Sequence, residues 1–115
     1  MNIEQLQTLA SSYKAVTEDI KWESHLCFSV GEKMFLLTSP DEIPVSACFK
    51  VSEEDFEELI DRDGFRQAPH FAKRKWIYLD DINKLGSKEW KMYLQRSYDS
   101  VVAKLTKKLR AELGV

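Results

Sequence analysis

Residues 25–38 read HLCFSVGEKMFLLT, and the period of two in this stretch decides the fold. Leu26, Phe28 and Val30 alternate with His25, Cys27 and Ser29, and Gly31-Glu32 then supplies a glycine-first turn into Lys33-Met34-Phe35-Leu36-Leu37-Thr38. Two such runs joined by two turn residues form a β-hairpin with one buried face. Working outward, Ile20 and Trp22 mark a short strand ahead of the hairpin, and Ser39-Pro40-Asp41-Glu42-Ile43-Pro44 reads as a connecting loop. Val45, Ala47, Phe49 and Val51 then alternate with Ser46, Cys48 and Lys50 as a further strand.

Helices flank these strands. Over residues 2–14, Asn2 is placed to cap and Ile3, Leu6, Leu9, Ala10 and Tyr13 recur at helical spacing. Ser52-Glu53-Glu54-Asp55 has the form of a capping box, with three carboxylates where the helix dipole favours them, and predicts a helix over 53–62 ended by Asp63-Gly64. After an irregular segment containing Pro69, Trp76-Ile77-Tyr78-Leu79 reads as a strand. Ser87 is expected to cap one long helix over 87–112, carrying Trp90, Leu94, Tyr98, Val101, Leu105 and Leu109, with Gly114 suited to its end. The fold class is therefore α+β: a single domain with an antiparallel sheet, helices packed on one face and the other face at least partly open.

A chain of 115 residues buries one ordinary core, and 43% hydrophobic residues with thirteen aromatics distinguish it from a disordered chain. Its longest apolar runs fall far short of the roughly eighteen residues a membrane span needs, and the first residues lack the basic and apolar regions of an export signal. A cytoplasmic location, no membrane partner and free, buried Cys27 and Cys48 are the corresponding expectations. Net charge is −2, unevenly spread: residues 1–63 hold five Lys/Arg against fourteen Asp/Glu, and residues 64–115 hold twelve against five. Such asymmetry fits a polyanion-binding face, or two halves that attract each other.

No catalytic constellation is legible. His25 and His70 belong to no metal-ligand spacing, and the four glycines form no phosphate-cradling loop. The expectation is a protein that is not an enzyme, with no cofactor and no metal. The carboxylates Glu53, Glu54, Asp55, Glu57, Glu58 and Asp61 match a solvated helix face. The basic segment is the better functional candidate: Arg66, Lys73, Arg74 and Lys75 lie in a stretch with no carboxylate from 66 to 79, beside His70 and Trp76. Cations with aromatic neighbours suit phosphates and bases, and Lys33 and Lys50 extend the group. Against this, Trp76 starts an apolar strand, where a large aromatic is more often core, and the cations could instead face the acidic helix. Lys104, Lys107, Lys108 and Arg110 form a second basic group.

Three stretches carry a family resemblance. Trp22 through the hairpin to Gly31-Glu32-Lys33-Met34-Phe35 resembles a Trp followed by a hairpin ending in Gly-x-Lys-x-Phe. Pro69-His70-Phe71-Ala72-Lys73-Arg74-Lys75-Trp76 resembles a Pro-aromatic-x-Asn-Lys-x-His-Trp segment, and Ser97-Tyr98 with Leu105-Thr106-Lys107-Lys108 resembles a C-terminal Ser-Tyr helix and its Leu-x-Lys-Lys ending. In this order, from about residue 15 to residue 108, they resemble the MmcQ/YjbR family. The resemblance implies a frataxin-like (CyaY-like) fold with a "double wing" arrangement and a DNA-binding role. The chain departs from the pattern at His70, Ala72 and Lys75: Ala72 has no side-chain hydrogen bond to offer, and Lys75 adds charge. DNA, held by its phosphates, is the expected partner; another protein, docked on the open sheet face or the acidic helix, is the alternative.

Overall fold

A computed structural model describes residues 1–115. Helix α1 (Ile3–Ser12) begins at a reciprocal cap, in which the Asn2 side chain accepts from the Gln5 N–H and the Gln5 side chain accepts from the Asn2 N–H. There follow β1 (Val16–Lys21), β2 (His25–Val30), β3 (Lys33–Ser39), β4 (Ser46–Lys50), α2 (Glu53–Ile60), β5 (Phe65–Gln67), β6 (Trp76–Leu79), α3 (Ser87–Val102) and α4 (Lys107–Leu113). The strands form one six-stranded antiparallel sheet in the order β1-β2-β3-β4-β6-β5. No helix is long and apolar enough to cross a membrane.

Register aligns the apolar residues into rows. Phe28, Leu36, Phe49 and Ile77 face one another across β2, β3, β4 and β6, and all four are fully buried. Leu6 and Ala10 of α1, Phe56 and Leu59 of α2, and Trp90 and Leu94 of α3 join the same core cluster. Trp90 buries its ring against Phe49, at 5.2 Å between centroids, while its indole N–H donates to the Ile82 carbonyl at 2.8 Å. Its one polar group is thus satisfied inside the core.

The hairpin is tighter than its alternation implies. Ser29 pairs with Met34 and Phe28 with Leu36, so Phe35 is the extra residue of a β-bulge, and both Phe35 and Leu36 are buried. At the tip, Gly31 and Glu32 both have positive φ (57° and 65°), the combination a two-residue primed turn requires. A Cβ on Gly31 would lie 2.8 Å from the Leu105 side chain, so the tip is seated on the turn between α3 and α4.

Four local expectations are corrected. β1 runs from Val16 to Lys21, longer than the strand expected through Ile20 and Trp22, and Trp22 belongs to the turn after it. β5 was not expected: three residues show no alternation, and it is held as an edge strand by β6 alone. The expected helix over 87–112 is two helices. α3 starts one residue after its cap, Gly86, and ends at Val102; Thr106 caps α4 by accepting from the Leu109 N–H. Leu105 keeps its place in the apolar series because it is buried in the turn between them. Ser52 does cap α2, but the Asp55 carboxylate leaves the box to take the Arg96 guanidinium at 2.7 Å.

Candidate functional site

The face away from the helices carries the alternate row: Cys27, Leu37, Cys48 and Tyr78, with Arg66 beyond on β5. The segment between β5 and β6 folds onto it, and Ala68, Phe71 and Trp76 make a small second cluster with Cys48, Leu37 and Tyr78. Above this lies a cleft of about 560 Å³, bounded by Trp22, His25, Glu42, His70, Phe71 and Tyr78.

Each residue singled out in the basic segment has a definite place. Trp76 is only 9% exposed and stacks on Phe71 at 4.4 Å and 21°, so it supports the segment from beneath. Arg74 turns away, pairing with Glu57 at 2.5 Å and Glu53 at 3.6 Å and lying over the Phe56 ring. Arg66 lies over the Tyr78 ring at 4.4 Å. His70 is exposed at the rim of the cleft, and Lys73 and Lys75 are exposed with no ion-pair partner.

Lys75 nevertheless has company. It precedes Trp76, which pairs with Lys50, and its carbonyl accepts from the Val51 N–H at 2.9 Å. The Lys50 carbonyl in turn accepts from the Ser97 hydroxyl of α3. The hairpin tip preceding Lys33 is seated on the turn that holds Lys104. Lys33, Lys50, Lys75 and Lys104 thus come from four separate parts of the chain to one end of the sheet, and none has a carboxylate partner. Partial burial, and then the positive charge of Lys104, Lys33 and Lys75, holds the Lys50 ammonium below the usual lysine range. Chain position groups Lys104 with Lys107, Lys108 and Arg110, but α3 ends at Val102 and Lys104, in the turn that follows, lies beside Lys50.

The opposite end of this face has different chemistry. His25 Nδ1 and the Ser39 hydroxyl are 2.8 Å apart, and the Ser46 hydroxyl donates to Glu42 Oε2 at 2.8 Å. Burial pushes the Cys48 thiol up to about 11, with Glu42 adding to the shift and Arg66 opposing it. His25, His70 and Cys48 share the walls of this cleft, a juxtaposition invisible in their chain positions. No three His, Cys, Asp or Glu side chains are grouped so as to hold a metal ion.

A family model described as YjbR matches residues 11–100. A crystal structure of a Deinococcus radiodurans protein with a DUF419 domain is similar over 99% of this chain and 88% of its own, with 24% identity and a TM-score of 0.88. A Pseudomonas syringae protein of known structure is similar over 88% of this chain and 99% of its own, with 24% identity and a TM-score of 0.72. No curated protein matches the chain.

Proposed function

The chain belongs to the YjbR family, and from that premise we propose that it is a DNA-binding module that holds the phosphate backbone at the lysine end of its open sheet face. The observation that carries this reading is the convergence of Lys33, Lys50, Lys75 and Lys104 without a neutralising carboxylate. Like charges held together cost free energy, and a polyanion relieves that cost while releasing its own counterions. Arg66 borders the same face from β5, whereas Arg74 serves the domain itself by tying the segment to α2.

The acidic helix is a weaker candidate for partner docking. Glu53 and Glu57 are engaged by Arg74, Asp55 by Arg96, and Glu58 by the Tyr93 hydroxyl. Its charge is thus largely used inside the domain.

The test is a salt titration of binding to duplex and single-stranded DNA. Each phosphate contact contributes about −0.9 to the slope of log affinity against log salt on duplex, so replacing Lys50, Lys75 and Lys104 together with Ala removes about two to three units. Because phosphates carry no base information, affinity for unrelated sequences falls by similar factors. Arg74→Ala changes the slope by less than any one of these lysines. A wild-type protein that binds no DNA at low salt would overturn the reading.

A further inference from the structure

We infer that the cleft at the other end of the open face receives an unpaired base of a strand whose phosphates lie on the lysines, so that the preferred ligand is single-stranded. The inference rests on the phosphate reading above and adds to it the nature of the ligand. Lys50 and Ser46 are the two ends of β4, about 13 Å apart at the usual rise of a strand. Cations at one end of that span and aromatic rings at the other form the pairing by which single strands are held, with the backbone on charge and the bases on π-faces.

The cleft has the groups for a base. Trp22 is 65% exposed, whereas Trp76 and Trp90 are buried, so its indole is the one available for stacking. Phe71 and Tyr78 supply further ring surface. Trp22 and His70, both lining the cleft, have left-handed backbone (φ 50° and 69°), which is uncommon for bulky residues and costs free energy. Glu42 Oε2 is occupied by Ser46, leaving its other oxygen to accept from an exocyclic amino group, as carboxylates do from cytosine N4. His25 likewise has one ring nitrogen engaged by Ser39 and the other without a partner. The Glu42 carboxylate also repels phosphate, which keeps the backbone at the lysine end. A base bearing an amino group is therefore preferred to thymine.

The experiment compares oligodeoxycytidine, oligothymidine and an abasic strand of equal length, followed by tryptophan fluorescence. The expected affinity order is cytidine, thymidine, abasic, with quenching by oligodeoxycytidine that Trp22→Phe removes. Trp22→Ala is expected to weaken oligodeoxycytidine about tenfold, the loss of one stacked base, while leaving the abasic strand and the salt slope unchanged. An abasic strand that binds as tightly as oligodeoxycytidine overturns the base site and leaves the lysine reading standing. If no strand binds at low salt, the lysine reading fails, and millimolar cytidine tests the cleft alone. Perturbed resonances of Trp22, His25 and His70 then support a base site, and unperturbed ones overturn it.

Discussion

Phe28, Leu36, Phe49 and Ile77 form a row across the sheet under the helices; one residue along each strand, Cys27, Leu37, Cys48 and Tyr78 form the row that faces away. The first row is fully buried, and its side chains are interchangeable in chemistry, differing only in shape. The second is buried unevenly, grading into Arg66 at the β5 edge, and its side chains carry a thiol, a phenol and a guanidinium. Four helices contribute apolar groups to one side, whereas the other meets only short connecting segments, chiefly 68–75. The covered face consequently carries stability, and the open face is where charge and unpartnered polar atoms are tolerated.

The neighbours Leu36 and Leu37 test that difference most strongly. Leu36→Ala should cost about 2–5 kcal/mol, the range for a large side chain removed from a closed core. Leu37→Ala, at a half-buried side chain lining the open cleft, should cost about 1 kcal/mol or less, because water can enter to replace the lost contacts. Denaturant titration measures both, and equal losses would break the comparison.

The next effect concerns the thiols. With Cys48 raised from 9.0 to about 11, its thiolate at pH 8 is about a hundredfold scarcer than that of an ordinary cysteine, and alkylation in the native state slows accordingly. Its alkylation rate should climb until about pH 11, the value set by burial. The unfolded chain ionises this thiol first, so its contribution to stability is complete below pH 9.0 and is lost as the pH rises to about 11. Cys27, also raised by burial and only 1% exposed, should label after Cys48, which borders the cleft; the reverse order would mean that the open face admits reagent over β2 rather than at the cleft.

The smallest effect sharpens the distinction in polar groups. Thr38 lies in the core with its hydroxyl unpaired, whereas Ser39 and Ser46 at the cleft have partners. Thr38→Val preserves shape and removes a buried, unsatisfied group, so stability should be unchanged or rise by up to about 1 kcal/mol. A loss of stability on thermal melting would mean that this hydroxyl has a partner on the covered face.

Much of the architecture follows from local signals. The Asn2 and Ser52 caps, the Gly31-Glu32 turn and the alternation of residues 26–30 and 45–51 each act within a few residues, and each leads to the element observed. The misses have equally local causes. β5 is too short to show a period, and the break after Val102 is masked because Leu105 and Leu109 continue the apolar spacing across it. The candidate site was legible only in part. Lys33, Lys50 and Lys75 were recognisable as cations near a sheet, but their meeting with Lys104 depends on β4–β6 pairing and on the α3–α4 turn resting against Gly31.

By itself, then, the sequence determined an α+β domain with one apolar sheet face, since hydrophobic periodicity and capping are free energies a short segment expresses alone. Tertiary structure decided which cations are neutralised, with Arg74 going to α2 and Lys50 to three other lysines, and it made one cleft of Trp22, His25, Cys48 and His70. Those outcomes depend on contacts between residues tens of positions apart, whose geometry is set only when strand register and helix packing are satisfied together.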